Sequence, residues 1–363
     1  MRTAIILCSL LLCLPAVRPA SAQPPPDEQV RQALEKMQTG DNRGAVALLE
    51  QARRDGKASP QALALLGAIY VRAGRAADAA GVLEPLAERA EADPAVLYNL
   101  AQAYLALGDE TRAEQLLERS LAREPVSPAA RLLGMRRGQQ KRYAEAYRLL
   151  KPWTLANPND REARLAAIYA ALKINRTAEA EELIVDLPPD NPDVALLRAR
   201  LQLQLGDPHA AIETIKALGR NNPGEMDYDT RVLLAEALVS TGQPSLALEI
   251  MDGQPIENAG VALMLSQARF QLGDVQGAIR TLSPVAEPLL AGPLPEDPRR
   301  RGLEATLLLE YGNYRLAAGD PQRAIQALER ATQLHPDGAR GWLMLADALR
   351  AAGRTAEADE AQR

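Results

Sequence analysis

The sequence predicts an all-α fold, a stack of about ten helical hairpins. Three observations predict it. Glycines recur at a step of about 34 residues. An alanine follows each of them at a fixed distance. Ala, Leu and Arg dominate the 363 residues and only 12 are Phe, Trp or Tyr, a mix that suits helices and leaves strands little to build on.

The ladder begins at Gly40, Gly74 and Gly108 and continues at Gly206, Gly242, Gly273, Gly319 and Gly353. Five residues after these stand Ala45, Ala79, Ala113, Ala211, Ala247, Ala278, Ala324 and Ala358. Four residues further comes a larger apolar side chain: Leu49, Leu83, Leu117, Ile215, Met251, Leu282 or Leu328. Pro125, Pro158, Pro223 and Pro336 close units. Glycine ends a first helix because it takes a left-handed turn at little cost. Alanine lets two helices approach, and the apolar residue one turn later fills the space beside it. Proline stops the second helix. One such hairpin cannot bury its apolar face, so neighbours must stack into a continuous core.

These positions resemble the tetratricopeptide repeat family. The match is clearest in 94–125, with Leu100, Ala101, Tyr104, Gly108, Ala113, Leu117 and Pro125, and in 305–336, with Gly312, Gly319, Ala324, Leu328, Ala331 and Pro336; the last unit adds Trp342. The resemblance covers nearly all of 27–363 and implies a right-handed superhelical solenoid. Unit four departs from the pattern, with Lys141 in place of the turn glycine, and unit five has Asn175 there. Both turns should still form, and the geometry between 127 and 190 should be uneven. "EPLLAGPLPEDPRRRG" (287–302) breaks the rhythm with four prolines and a charge run. The expected organisation is therefore a signal segment (1–22), units one to eight (23–287), a Pro-rich insert (288–302) and units nine and ten (303–363). The alanine-rich second helix of unit ten is expected to tolerate exposure or to dock on a partner or second copy.

The first 22 residues read as an export signal. Arg2 precedes the apolar run Ala4 to Leu14, and Ala20-Ser21-Ala22 fits a small-x-small cleavage site before Gln23. The run is short for a membrane span, which needs about 20 apolar residues. Cys8 and Cys13 both lie inside it, so the processed chain has no cysteine for a disulfide, a nucleophile or a metal. Processing also removes two arginines and no acid, which leaves 40 Lys and Arg against 47 Asp and Glu. A net acidic chain does not draw nucleic acid.

No catalytic constellation is visible. HExxH, a phosphate-binding glycine loop and GxSxG are all missing from the sequence. His209 and His335 sit near turns, and acidic pairs such as Glu181-Glu182 suit a solvated helix face. The resemblance instead implies a groove lined by first helices. Carried over position by position, the fifth row reads Tyr98, Leu132, Leu196, Val232, Leu263, Leu309 and Leu343, and the twelfth reads Val71, Leu105, Leu203, Val239, Phe270 and Leu316. Between them the ninth reads Gln102, Arg136, Arg200, Glu236, Gln267, Asn313 and Asp347. Such apolar rows either pack on neighbouring helices or line a channel for a peptide, and the polar row would orient it. Asn99 matches one position of the family's carboxylate clamp, but Ala64, Ala68 and Leu132 stand where its other residues belong, so that version is rejected. A basic stretch, Arg131, Arg136, Arg137, Lys141, Arg142, Arg148 and Lys151, contains Glu145 as its single acid.

The resulting expectation is a non-enzymatic periplasmic scaffold that needs no cofactor or metal and holds protein partners in its groove. The partner-binding candidates are Tyr98, Asn99, Gln102, Arg131, Arg136, Arg137, Arg200, Leu263, Gln267, Phe270 and Asn313. Its analogues serve envelope assembly, secretion or exopolysaccharide export. Two rival readings are a carrier of an anionic ligand at the basic stretch and an accessory subunit of an envelope enzyme complex. Membrane association is expected only through an uncleaved signal or a partner. Intact-mass measurement of the exported protein should show Gln23 at its N-terminus; a mass retaining 1–22 would refute the cleavage site.

Overall fold

The computed structural model describes residues 27–89, 91–218 and 226–362. The export segment 1–22 and Pro223 lie outside the described residues. Among the described residues there are twenty α-helices and no strand. They follow one another as ten pairs in chain order, nine of which pack as hairpins within one compact unit. The first four are α1 (Glu28–Gln38) with α2 (Asn42–Arg54), α3 (Pro60–Arg72) with α4 (Ala76–Ala87), α5 (Pro94–Ala106) with α6 (Glu110–Leu121), and α7 (Pro128–Gln139) with α8 (Tyr143–Ala156). Next come α9 (Arg161–Lys173) and α10 (Thr177–Ile184), then α11 (Pro192–Gln204) with α12 (Pro208–Ala217) and α13 (Tyr228–Ser240) with α14 (Pro244–Ile250). The last are α15 (Ala259–Gln271) with α16 (Val275–Ala286), α17 (Pro298–Ala317) with α18 (Pro321–Leu334), and α19 (Ala339–Ala351) with α20 (Thr355–Ala361).

The chain divides into two compact units, Met1–Ile174 and Asn175–Arg363. The division falls inside the stretch expected to be uneven, with α9 and α10 on either side of it, and the eight residues of α10 make it shorter than the second helices of the first unit. Within the first unit α1, α3 and α5 touch in succession, as do α7 and α9. Within the second, α11, α13, α15, α17 and α19 do the same. Second helices pack onto the first helix of their own hairpin and onto that of the next, as α4 does with α3 and α5. The first helices therefore form a layer of their own in each unit.

Local chemistry sets each turn. All eight ladder glycines have positive φ, between 72° and 82°. The residue after the glycine is often an aspartate whose carboxylate caps the second helix, as Asp109 does by accepting from the Arg112 N–H at 3.0 Å. Lys141 and Asn175 adopt the same left-handed geometry, with φ of 61° and 60°. Both irregular turns thus form as expected.

Packing follows the ladder closely. The eight predicted alanines have no exposed surface, and Ala146 and Ala180, five residues after Lys141 and Asn175, are equally buried. Leu49, Leu83, Leu117, Ile215, Leu282 and Leu328 are at most 1% exposed. Three first-helix glycines allow the closest approach. A Cβ on Gly67 would lie 2.3 Å from Leu83, one on Gly134 2.7 Å from Leu150, and one on Gly312 2.6 Å from Leu328.

The Pro-rich insert is smaller than expected. Glu287–Leu289 forms a 3-10 turn, and α17 starts at Pro298, so 298–302 are helical. Proline is well placed in a helix's first turn, where no N–H is needed. The remaining loop is tied down by Arg330, which donates to the carbonyl of Leu289 at 3.3 Å and to that of Gly292.

Two substitutions test this packing. Lys141→Gly should stabilise the protein by about 1 kcal/mol, because a side chain in the left-handed region costs roughly that much. Gly134→Ala should destabilise it by about 1–3 kcal/mol through overpacking against Leu150. Denaturant midpoints of the two variants against the parent chain check both signs.

Candidate functional site

The first-helix layer of each unit carries the predicted rows. In the second unit, Leu196, Val232, Leu263 and Leu309 occupy position five half-buried, whereas Leu343 of α19 is exposed and Val239, at position twelve of α13, is buried. Leu203, Phe270 and Leu316 at position twelve are half-buried as well. They lean on the core, Leu196, Leu203 and Val232 on the cluster around Leu233 and Leu265, and Leu263 and Phe270 on the cluster around Tyr311 and Leu308. Phe270 stacks obliquely on Tyr314 with ring centroids 4.7 Å apart. Each of these side chains seals the core beneath it and leaves an apolar edge exposed. Arg200, Gln267 and Asn313 are half-buried between them, and Glu236 and Asp347 are exposed.

The first unit carries Tyr98, Asn99 and Gln102 half-buried on α5. On α7 the register differs by one residue from the sequence reading. The left-handed residue is Lys141, and Gly134 meets Leu150 just as Gly67 meets Leu83, sixteen residues on in both cases. Position five of α7 is therefore Arg131, not Leu132, and position nine is Met135, not Arg136. On α9 the same count from Asn175 puts Leu165 and Tyr169 in the rows. Tyr169 is 37% exposed, packs edge-on to Tyr143 at 5.8 Å, and has Lys173 over its ring at 5.2 Å. Sequence reading missed Met135, Leu165 and Tyr169 because the interval from Gly108 to Lys141 is one residue short.

The basic stretch is much less basic in the fold than in the sequence. Arg131 binds Asp160 at 2.6 Å and Glu162 at 2.5 Å. Arg136 binds Glu110 at 3.0 Å. Arg137 is only 3% exposed and holds Glu114 at 2.6 Å, Glu118 at 3.2 Å and Glu145 at 3.4 Å. Arg142 also pairs with Glu145, at 2.7 Å. Most of these acids come from α6 and the start of α9, outside the linear window. Burial would raise the Asp160 carboxyl, but hydrogen bonds from Arg131, Trp153 and the Ala163 N–H outweigh it and hold Asp160 below its ordinary value. Glu114 is likewise held down against burial by Gln140 and Arg137.

Arg137 completes a repeating clasp that sequence reading did not find. Glu50 of α2 accepts from the Tyr70 hydroxyl of α3, and Glu84 of α4 from the Tyr104 hydroxyl of α5, each pair 20 residues apart. Glu118, 34 residues beyond Glu84, meets Arg137 at the next junction. Burial and the hydrogen bond to Glu50 push Tyr70 up to about 12, and burial and Glu84 raise Tyr104. Arg75 lies over the Tyr70 ring at 4.1 Å and Arg112 over Tyr104 at 4.4 Å. Each clasp joins the second helix of one hairpin to the first helix of the next.

Among the described residues no group of His, Cys, Asp and Glu has the arrangement to hold a metal ion, and no helix is long and apolar enough to cross a membrane. What the layer offers chemically is a partly apolar surface with hydrogen-bonding side chains between its rows.

Comparison with known proteins agrees with the repeat. One tetratricopeptide repeat model matches 70–135, 139–201 and 315–361, and a second matches 30–94 and 196–253. The chain belongs to the tetratricopeptide repeat family, whose members generally act as protein–protein interaction scaffolds and are typically non-enzymatic. Among solved structures it is similar to "MamA AMB-1", with 28% identity over 45% of this chain and 91% of that one and a TM-score of 0.39. It is also similar to the APC/C hetero-tetramer Cut9-Hcn1, with 15% identity, coverage of 91% and 78%, and a TM-score of 0.44. A tetratricopeptide repeat protein from Parabacteroides merdae gives 16%, 89% and 98%, and 0.36. No curated protein matches the chain.

Removing Arg137 opens a vacancy at its buried site and leaves the mostly buried Glu114 without its cation, while Glu118 is solvated and Glu145 keeps Arg142. Arg137→Ala should cost about 3 kcal/mol or more, whereas Tyr104→Phe should cost about 1 kcal/mol. The lowered Asp160 and Glu114 add a pH dependence. Their contribution is fully present above the ordinary carboxylate range of about 4 and is lost as pH falls through their folded values. Thermal unfolding from pH 7 to pH 3 should therefore show a flat Tm that drops below pH about 4, with a shallower drop in Arg131→Gln.

Proposed function

We propose that this protein is a non-enzymatic scaffold that docks segments of partner proteins on the first-helix layer of its repeats. One observation carries the reading: apolar side chains at positions five and twelve are half-buried on α5, α11, α15 and α17, with polar side chains between them, and Val232 continues row five on α13. A layer of such edges, recurring on several first helices, supplies weak sites in series, and a long segment bound across several of them gains affinity by multivalency.

The export signal read in 1–22 supports a periplasmic setting, and analogy supports a role in envelope assembly, secretion or exopolysaccharide export. The anionic-carrier reading loses support, since Arg131, Arg136, Arg137 and Arg142 are already engaged by carboxylates.

Co-purification from a native envelope extract, with chain 23–363 as bait, tests the assignment. Arg200→Glu with Gln267→Glu should lower recovery of a defined protein at least tenfold. Glu213→Lys on α12, where Glu213 is 73% exposed, should leave it unchanged. Equal recovery with all three baits would place the docking surface elsewhere.

A further inference from the structure

Two charges of opposite sign stand at position nine on touching first helices, Arg200 on α11 and Glu236 on α13. They do not pair with each other. Among the described residues, Arg200 and Arg301 are the half-buried arginines whose guanidinium takes part in no ion pair or hydrogen bond. Arg301 lies near the start of α17, outside the rows. Sheltered arginines elsewhere are engaged: Arg131, Arg136 and Arg137 hold carboxylates, and Arg198 and Arg231 donate to backbone carbonyls. A guanidinium that loses water without gaining a partner is unfavourable. Acids are not in short supply, since residues 175–363 carry 28 Asp and Glu against 18 Lys and Arg. The fold leaves Arg200 open where carboxylates are plentiful.

The surroundings of Arg200 are apolar. Leu196 stands four residues before it and Leu203 three after, which puts all three on one face of α11. Both leucines and Val232 of α13 are half-buried and lean on one core cluster. A carboxylate that reaches Arg200 is therefore sheltered by apolar side chains, and charge-assisted hydrogen bonds are strongest in such a setting. Glu236 is exposed, so a cation facing it adds orientation more than affinity. Packed helices lie about 8–10 Å apart, and an extended chain covers about 3.3 Å per residue. About three residues thus carry a segment from Arg200 to Glu236.

We propose that α11 and α13 dock an extended partner segment in which a carboxylate side chain pairs with Arg200, a cationic side chain about three residues away faces Glu236, and apolar side chains beside them rest on Leu196, Leu203 and Val232. The proposal rests on the docking role of the first-helix layer and names the charge pattern of what it docks. Such a segment has no net charge, so the acidic balance of 175–363 neither draws nor repels it. Selectivity comes from the spacing of its two charges.

The probe is the peptide acetyl-Leu-Glu-Leu-Ala-Lys-Leu-amide, titrated into chain 23–363 and followed by NMR at the methyl groups of Leu196, Leu203 and Val232. Saturable shifts are expected. Glutamine in place of the peptide's glutamate should weaken binding about tenfold, and methionine in place of its lysine about threefold. The rearranged acetyl-Leu-Leu-Glu-Lys-Ala-Leu-amide, with its charges adjacent, should bind about fivefold more weakly. In Arg200→Gln the glutamate and glutamine peptides should bind alike, and in Glu236→Gln the lysine and methionine peptides should. Equal affinity of the parent chain for the glutamine peptide would make the occupant purely apolar and overturn the proposal. So would the lack of a saturable shift, a glutamate preference that survives Arg200→Gln, or undiminished binding of the rearranged peptide. If the peptides fail in this way while Arg200→Glu with Gln267→Glu still loses its protein partner, the charge pattern falls and the docking layer stands.

Discussion

The close approach of alanine in one helix to the neighbouring first helix sets the rest of this structure. Ten second helices each place an alanine with no exposed surface five residues after a left-handed turn residue. Where the facing position is also small, as at Gly67, Gly134 and Gly312, the larger residue one turn beyond the alanine drops directly onto the backbone. This contact fixes the spacing of each hairpin, and with it the direction in which the first helix presents its other side chains. The left-handed residue is its companion constraint, because it fixes the phase of the second helix relative to the first. Dispersion and burial at such contacts depend steeply on distance, so the hairpin has little freedom to slide.

Polar contacts add to that frame at the junctions between hairpins. Glu50 with Tyr70, Glu84 with Tyr104, and Glu118 with Arg137 repeat one arrangement in the first unit. The second unit has a variant, in which Tyr311 donates to Glu287 at 2.7 Å and accepts from Arg315. Tyr70, Tyr104, Arg137 and Tyr311 are buried while Glu118 and Glu287 reach into solvent, so it is the buried member whose partner is costly to lose. The clasps lie between the second helix of one hairpin and the first of the next, while the half-buried rows lie on the first helices alone. The row side chains also cover the core beneath them, so the first helices serve cohesion as well as surface.

Much of the fold was legible in the sequence because its signal is periodic and local. Gly108, Ala113 and Leu117 state a turn, an approach and a filler, and the same sentence recurs at Gly319, Ala324 and Leu328. What escaped was whatever depends on exact phase or on distant residues. A single missing residue before Lys141 shifted the rows of α7, so Met135 was overlooked and Leu132 and Arg136 were assigned in its place. Pro298 reads as a breaker in a proline-rich stretch, yet it begins a helix. The basic stretch around Arg137 looked uncompensated because Glu110, Glu114 and Glu118 belong to another helix that folding brings alongside.

Hydrogen exchange of chain 23–363, free and with its captured protein partner bound, tests the central claim most directly. The account predicts that the partner adds protection along first helices such as α11, α13 and α15 and leaves the exposed faces of α12, α14 and α16 unchanged. Added protection confined to the second helices, with the first helices unaltered, would contradict it.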